Sequence, residues 1–227
     1  MSVQLKLVIF DVDGTLVDSQ GDIVAAMAAA FASVDRPMLP RKDVLSVVGL
    51  SLDVIFPILQ PDLPASAHRQ MVEAYKNAYM ELRAKAGVAQ SSPLYPGALE
   101  TLRALNAVPE VLLGVATGKS RRGLDKLIEG HGLEGMFLTQ QVADHHPSKP
   151  HPSMILQAMA DVGVAAQDTV MIGDTSFDME MAEAAGVHGI GVSWGYHDRD
   201  RLHRAKQIVG DYSSLHSTLD KIWSVSA

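Results

Sequence analysis

Four short apolar runs, each closed by glycine or by a polar residue, constrain the fold of this chain more than any other feature. They are rich in β-formers and have the length of strands buried on both faces of a parallel sheet. The runs are Leu7–Phe10, Val111–Ala116, Thr169–Ile172 and Ile190–Val192. Helical patterns lie between the later runs, at Ser120–Glu129, Pro152–Asp161 and Phe177–Ala185. This alternation predicts an α/β fold with a doubly wound parallel sheet and helices on both of its faces.

The segment 19–92 interrupts this alternation. It contains no convincing strand, and its apolar spacing predicts four helices, at Asp22–Val34, Arg41–Val48, Ser51–Leu59 and Ala65–Lys85. We therefore expect residues 19–92 to form an inserted, all-helical domain. Residues 1–18 and 93–227 would then make up the α/β core, a division that suits a chain of 227 residues.

Composition excludes several classes of protein. The chain has no cysteine, which rules out disulfides, thiolate nucleophiles and cysteine-ligated metals. Its formal net charge of −7 argues against nucleic-acid or anionic-lipid partners, because both need a basic surface. The longest apolar stretch, Ile23–Val34, is well short of the roughly 20 residues of a membrane-spanning helix. Lys6 is the only basic residue before the first apolar run, which is itself short. We therefore expect no signal peptide and a cytoplasmic protein.

Two carboxylates follow the first run. Asp11 and Asp13 are two residues apart, and in an extended chain such residues point to the same side. Gly14 then allows a sharp turn. In an open parallel sheet, ligands bind beyond the carboxyl ends of the strands, where this pair lies. An isolated pair of this kind would be explained more simply as a helix cap and a turn.

A second acidic group closes the third run. Asp174 follows Gly173 at the strand end, and Asp178 lies one helical turn later. Asp174 alone would be interpreted as a helix N-cap. Together with Asp11 and Asp13 it completes a set of oxygen ligands that suits Mg²⁺, which binds one or two carboxylates, waters and a phosphate oxygen.

Two further positions suit an anion. Thr117 ends the second run and precedes Gly118 and a helix, so its hydroxyl and nearby backbone N–H groups can hold an anion, although a simple N-cap is an equal alternative. Lys149 lies between Ser148 and Pro150, just before a helix. An ordinary surface lysine is the alternative there, but beside the other strand ends it is a candidate clamp for phosphate charge.

These strand ends together resemble the haloacid dehalogenase superfamily. Its four motifs are matched in order by Asp11-Val12-Asp13-Gly14-Thr15-Leu16-Val17-Asp18-Ser19, Thr117-Gly118-Lys119, Lys149-Pro150-His151-Pro152 and Gly173-Asp174-x-x-x-Asp178. The helical insert is similar to the cap of the subgroup that includes phosphoglycolate phosphatase and β-phosphoglucomutase. Within that subgroup, the chain looks most like the phosphoglycolate phosphatase branch.

The resemblance implies a role for each acidic residue. Asp11 would be the nucleophile that forms an aspartyl-phosphate. Asp13 would be the general acid/base that protonates the leaving alcohol and then activates water. Asp11, the Asp13 backbone carbonyl and Asp174 would bind Mg²⁺. Asp178 would hold the metal ligands in position without binding the metal itself, or would orient Lys149.

The remaining motif residues would hold the phosphate. By the same resemblance, Thr117, the Gly118 N–H and Lys149 would bind the phosphoryl oxygens. An aspartate at position 13 is absent from the dehalogenases and phosphonoacetaldehyde hydrolases of the superfamily, so the resemblance indicates a phosphate ester. We therefore expect a Mg²⁺-dependent phosphatase that acts on a small phosphorylated metabolite, with 2-phosphoglycolate favoured. A phosphomutase and a non-catalytic phosphometabolite-binding module stay open as alternatives.

Two other features have simpler interpretations. His145, His146 and His151 are close in sequence, but no cysteine or glutamate completes a tetrahedral metal site, so solvated loop histidines are favoured. Gly49 lies in a connection of the insert, where the resemblance places the loop that contacts the leaving group. A helix stop is an equal alternative for Gly49.

Overall fold

Six parallel strands form one sheet in the computed structural model of the chain, which describes residues 4–225. The strands are β1 (Lys6–Phe10), β2 (Val111–Thr117), β3 (Thr139–Val142), β4 (Thr169–Gly173), β5 (His188–Val192) and β6 (Gln207–Val209). Their spatial order is β3-β2-β1-β4-β5-β6. The chain moves outward from β1 in both directions, which confirms the doubly wound α/β fold.

Helices follow or precede most of these strands. Those outside the insert are α6 (Ala98–Asn106), α7 (Arg121–His131), α8 (Ser153–Val162), α9 (Ser176–Ala184) and α10 (Leu215–Val225). The strands β3 and β6 and the helices α6 and α10 were not among the predicted elements. Along residues 4–225, none of the helices combines the length and the apolar character needed to cross a membrane.

The middle strand β1 is buried on both faces. Val8 and Phe10 belong to the apolar cluster on one side of the sheet, where α6, α7 and α10 pack. Leu7 and Ile9 belong to the cluster on the other side, with residues of α8 and α9. All four side chains are fully buried. This packing explains why the run has no polar alternation.

The insert is all helical and has a core of its own. Its helices are α1 (Gln20–Ala32), α2 (Arg41–Leu45), α3 (Leu52–Leu59), α4 (Ala65–Ala86) and α5 (Val88–Ser91). The four predicted helices are present with shifted ends, and the short α5 is additional. Ile23, Met27, Phe31, Phe56 and Met71 are buried together in a cluster separate from those of the sheet.

The connection between α2 and α3 rests on the carboxyl edge of the sheet. Gly49 lies in this connection with φ 104°, and because α2 ends at Leu45, the alternative that Gly49 is a helix stop is wrong. A Cβ atom on Gly118 would lie only 2.8 Å from the Gly49 carbonyl oxygen, so the two backbones are in close contact. The Ser51 N–H donates a hydrogen bond to Ser148 Oγ at 2.9 Å, next to Lys149.

A buried histidine joins the same connection to the core. His197 Nδ1 accepts a hydrogen bond from the Ser176 N–H, and its Nε2–H donates to the Ser46 carbonyl, both at 3.0 Å. Burial, reinforced by the nearby Arg201 cation, lowers the pKa of His197 from 6.5 to about 4. The neutral ring is therefore the form that fits this contact.

Acid should destabilise the protein through His197. Between pH 4 and 6.5 the unfolded chain binds a proton that the folded chain does not, so the free energy of unfolding falls as the pH drops through this window. For His197 this loss is roughly 2–3 kcal/mol between pH 7.5 and pH 4.5. We expect the difference in unfolding free energy between these two pH values, measured in urea, to shrink by about that amount in His197→Gln.

The matched control is His203→Gln, because His203 is exposed. Other titrating groups contribute equally to wild type and variant, so the comparison isolates His197. An equal pH dependence in His197→Gln and wild type would contradict the assignment.

Candidate active site

The carboxyl ends of three adjacent strands bring the predicted side chains together. Asp11 follows β1 directly, Thr117 is the last residue of β2, and Asp174 follows β4. Because β1 pairs with β2 on one side and with β4 on the other, these positions are neighbours at one edge of the sheet. This edge is where open α/β sheets bind their ligands.

Lys149 reaches the same edge from the loop before α8. Its Nζ lies 2.8 Å from Asp11 Oδ1 and 2.7 Å from Asp178 Oδ1. The lysine and both carboxylates are buried, so Lys149 is not the ordinary surface lysine that was its alternative. Asp178 in turn accepts hydrogen bonds from the Thr175 N–H at 3.0 Å and from Thr175 Oγ1 at 2.7 Å. These contacts fix the position of the Lys149 ammonium relative to Asp11.

The electrostatics of this cluster favour an additional cation. Burial raises the pKa of Asp11 to about 7, an effect that Lys149 partly offsets and Asp178 reinforces. Burial, together with the carboxylates of Asp11 and Asp178, also raises the pKa of Asp174. Burial opposes the charge of Lys149 as well, yet Asp11 and Asp178 outweigh this and raise its pKa. The three buried carboxylates of Asp11, Asp174 and Asp178 thus have one lysine among them. A bound cation would offset the remaining negative charge.

The donor set fits a hard divalent cation. Carboxylate oxygens of Asp11, Asp174 and Asp178 lie within 4.8 Å of one another. Asp11 Oδ2 is buried and has no hydrogen-bond partner in the described part of the chain, so this oxygen is free to bind a cation. All the donors are oxygens, as Mg²⁺ prefers. The Asp13 side chain is not part of this cluster.

Asp174 is held from both sides. Its Oδ1 accepts a hydrogen bond from Thr15 Oγ1 at 2.9 Å, and its Oδ2 accepts one from the Tyr196 N–H at 2.8 Å. Two glycines make room for it, since a Cβ atom on Gly14 or on Gly195 would lie 2.2 Å from an atom of Asp174. Gly14 also has φ 82°, a conformation that glycine adopts without strain.

Neither Asp174 nor Thr117 serves as a helix cap. The N-cap of α9 is Thr175, which forms a capping box with Asp178. The N-cap of α7 is Ser120, whose side chain accepts the Gly123 N–H. The cap alternatives for both residues are therefore wrong, and both side chains are buried at the sheet edge.

Asp13 has a separate environment. Its Oδ1 lies 2.7 Å from Lys119 Nζ and accepts a hydrogen bond from Ser19 Oγ. Burial acts to raise the pKa of Asp13, but the Lys119 cation and the Ser19 hydroxyl outweigh it and leave this pKa below its usual value. The pKa values of the two aspartates are therefore shifted in opposite directions, that of Asp13 downward and that of Asp11 upward.

A small cavity joins the two aspartates to the insert. Its volume is about 130 Å³. On the core side it is bounded by Asp11, Asp13, Thr117 and Gly118. On the insert side its walls are mostly apolar or aromatic, from Ile23, Met27, Leu52, Ile55, Tyr75 and Tyr79. The site can therefore enclose a small molecule between core and insert.

Four residues to which the sequence assigned no role also shape this site. Lys119, Thr15 and Ser19 all lie inside the matched motifs, but the sequence does not show which side chains they contact. Tyr196 contributes a backbone N–H, which no residue type encodes. Its neighbour Trp194 donates its Nε1–H to the Thr15 carbonyl at 3.1 Å and fixes the same loop.

Within residues 4–225, the three histidines are not among the side chains that the fold groups closely enough to share a metal ion. His145 and His151 are exposed, as expected for loop residues. His146 differs, because its two ring nitrogens lie 2.8 Å from Ser153 Oγ and from Gln141 Oε1. It ties the start of α8 to β3, in the segment that carries Lys149.

Closing the space beside Asp174 should weaken cation binding. In Gly195→Ala the new Cβ would overlap Asp174 Cβ, so the carboxylate must move. We expect the dissociation constant for Mg²⁺, measured by calorimetric titration, to rise about 10- to 100-fold, the range for lost support of a ligand. Gly210→Ala is the matched control, since a Cβ there meets nothing within 4 Å. Equal Mg²⁺ affinity in both variants would exclude Asp174 from the cation site.

Comparison with known proteins identifies the family. The haloacid dehalogenase-like hydrolase family matches residues 8–192. A probable phosphatase, IndB, from Dickeya dadantii is 38% identical over 209 residues, covering 90% of this chain and 89% of that protein. A phosphoglycolate phosphatase from Photobacterium profundum is 29% identical over 200 residues and 85% of each chain. A hydrolase from Pseudomonas syringae has a similar structure, with TM-score 0.84, 26% identity and coverage of 96% of this chain and 99% of that one. The chain therefore belongs to the haloacid dehalogenase-like hydrolase family.

Proposed function

We propose that this protein is a Mg²⁺-dependent phosphatase that hydrolyses a small phosphate monoester through an aspartyl-phosphate at Asp11. One observation carries the proposal. Asp11 lines the cavity and its Oδ1 lies 2.8 Å from the Lys149 ammonium, while its Oδ2 has no partner in the described chain, so one oxygen can attack phosphorus and the other can bind a cation. A carboxylate that is both positioned and incompletely bonded is suited to act as a nucleophile.

In the first step, an Asp11 carboxylate oxygen attacks phosphorus, and the P–O bond to the leaving alcohol breaks. Asp13 protonates that alcohol, a step that needs the protonated form of Asp13 and therefore a change in its pairing with Lys119. In the second step, Asp13 takes a proton from water as the water oxygen attacks the same phosphorus, which releases phosphate and restores Asp11. The pairing of Asp13 with Lys119 favours the ionised form that the second step needs.

Phosphate would be held by residues at the ends of β2 and before α8. Thr117 and Gly118 both line the cavity, and we assign the Gly118 N–H to a phosphoryl oxygen. Lys149 Nζ is already 2.8 Å from the nucleophile, so its charge lies next to the transferring group. Positive charge fixed at this point stabilises the charge that develops in the transition state.

Mg²⁺ would be bound by Asp11, the Asp13 backbone carbonyl and Asp174. When bound, the ion supplies positive charge that offsets the phosphate oxygens and the clustered carboxylates. Among the described residues, Asp174 accepts only neutral hydrogen bonds, whereas Asp178 pairs with the Lys149 ammonium through one oxygen and accepts from Thr175 through the other. We therefore assign Asp178 to positioning these groups.

The favoured substrate is 2-phosphoglycolate, with sugar phosphates and nucleoside monophosphates as further candidates. Relatives named phosphoglycolate phosphatase support this choice. The small cavity volume also favours a short leaving group. We further propose that residues 19–92 form a mobile cap over the core of residues 1–18 and 93–227, which excludes water on closing and opens for release.

Removal of the metal tests the cofactor. After exhaustive chelation we expect phosphate release to fall at least 100-fold, because an uncompensated cluster of carboxylates repels the phosphate, and to return on addition of Mg²⁺. Phosphate should be measured over a panel of small phosphate esters, with Mg²⁺ and with chelator. Full activity in the chelated enzyme would exclude the metal. An isomerised sugar phosphate in place of free phosphate would identify a mutase.

A further inference from the structure

A groove between α4 of the insert and α7 of the core lies beside the active-site cavity, and the proposed reaction does not use it. Its volume is about 520 Å³. Four cationic side chains line it, with Glu73 as an acidic neighbour. The cations are Lys76 and Arg83 from α4, and Arg122 and Lys126 from α7.

Arg83 is the unusual member of this set, because it is only 9% exposed and, among residues 4–225, no carboxylate lies within ion-pair distance of it. Its guanidinium donates to the Gly123 carbonyl at 3.2 Å, lies 3.5 Å from Ser92 Oγ and packs over the Tyr79 ring at 4.8 Å. Its Nε is buried without a partner in the same part of the chain. Arg83 helps to lower the pKa of Asp13, but that carboxylate already pairs with Lys119, so the buried charge of Arg83 is costly unless a further anion compensates it.

The other cations do not remove this surplus. Lys76 pairs with Glu73 at 3.3 Å and Lys126 pairs with Glu129 at 2.7 Å, each within its own exposed helix surface. Such exposed pairs are weak and leave the ammonium groups accessible. In the described chain, no salt bridge is formed by Arg122, which is exposed at the groove. The groove therefore carries a net positive charge.

The first turn of α7 adds to this field. Ser120, Arg122 and Gly123 all line the groove, so the helix presents its N-terminal end there. Backbone N–H groups at this end carry partial positive charge and favour anions. Two N–H groups of this turn are already bonded, that of Arg121 to the Asp144 carboxylate and that of Gly123 to Ser120 Oγ. The direct contacts to a ligand would therefore come from Arg83 and Arg122.

We propose that this groove binds an anionic group, a carboxylate or a phosphate carried by a small metabolite, with Arg83 as its central cation. The bound group contacts α4 and α7 together and so holds the insert against the core. It has two possible sources, the far end of the substrate or a separate small anion. The groove shares Lys76 and Tyr79 with the active-site cavity, so the far end of a substrate bound in the cavity can extend into the groove.

The probe for binding is tricarballylate, a tricarboxylate without phosphate, titrated calorimetrically into the metal-free protein at low ionic strength. We expect Arg83→Met to weaken its binding by about 10-fold or more, and Arg122→Gln by about 3- to 10-fold, as for lost charge-assisted hydrogen bonds. Arg69→Gln, on the exposed surface of α4, should bind as wild type.

Arg122 is exposed, so its substitution does not endanger the fold. No binding of tricarballylate by wild type, or equal binding by wild type and Arg122→Gln, would overturn the proposal. This titration does not depend on phosphatase activity, so its failure is distinguishable from failure of the proposed function.

Steady-state rates separate the two sources, and this arm rests on the proposed phosphatase function. With Mg²⁺ in excess, competition by tricarballylate against 2-phosphoglycolate but not against methyl phosphate assigns the groove to the substrate's carboxylate. A change in the rate with both esters assigns it to a separate anion. Unchanged rates with both esters at saturating tricarballylate would overturn the claim that the bound anion acts on the contact between α4 and α7.

Discussion

Asp11→Asn should lose at least 10⁴-fold in kcat for phosphate release while keeping its fold, because the amide cannot form the aspartyl-phosphate. The substitution preserves the shape of a fully buried side chain next to Lys149. It also removes one of several clustered carboxylates, so we expect the thermal midpoint to change by no more than a few degrees. Activity is measured as released phosphate at saturating Mg²⁺, and the fold by circular dichroism.

The matched control is Asp220→Asn, an exposed aspartate in α10. It makes the same chemical change away from the site and should keep wild-type turnover. Wild-type turnover in Asp11→Asn would remove Asp11 as the nucleophile.

Lys149→Met should be the most destabilising substitution at the site. The ammonium lies within 2.8 Å of two buried carboxylates, and its loss leaves both without a counter-charge. Removing one partner of a buried ion pair typically costs about 3–5 kcal/mol. We expect a decrease of this size in the free energy of unfolding, measured in urea without metal, together with loss of phosphate release.

A double variant separates the charge effect from packing. In Lys149→Met/Asp178→Asn one of the stranded carboxylates is neutral, so part of the stability should return while activity stays absent. Lys42→Met, at an exposed position in α2, should stay within about 0.5 kcal/mol of wild type. If Lys149→Met behaved like Lys42→Met, the buried ion pair would not have the energetic role assigned here.

The central part of the fold was predictable because its strands are apolar on both faces. Leu7–Phe10 and the neighbouring runs could only be buried in a parallel sheet. The edge strand β3 was missed because it is polar, with the sequence Thr139-Gln140-Gln141-Val142. Its burial depends on side-chain partners from elsewhere, since Gln141 Nε2 and Thr139 Oγ1 both donate to Asp161 Oδ2 at 2.7 Å. The spacing of apolar residues cannot predict a strand whose polar side chains are buried through hydrogen bonds to another element.

The site was predictable where strand order alone fixes it. Asp11, Thr117 and Asp174 had to meet once their strands were adjacent. The contacts made by loops were not predictable, because loop conformation decides them. Lys119 turns back to Asp13 from the residue before the helix cap, and the Tyr196 N–H reaches Asp174 from a turn after β5. The groove at Arg83 forms because the fold brings the C-terminal half of α4 near the first turn of α7, where Arg83 donates to the Gly123 carbonyl.

The central claim is that Asp11 becomes phosphorylated during turnover. A direct measurement is to mix enzyme, Mg²⁺ and 2-phosphoglycolate, quench in acid within one turnover, reduce with borohydride and sequence the N-terminal peptide by mass spectrometry. Borohydride converts an aspartyl-phosphate to homoserine, so the account predicts homoserine at position 11 and unmodified aspartate at position 13. Phosphate release with unmodified Asp11 in every quenched sample would contradict it.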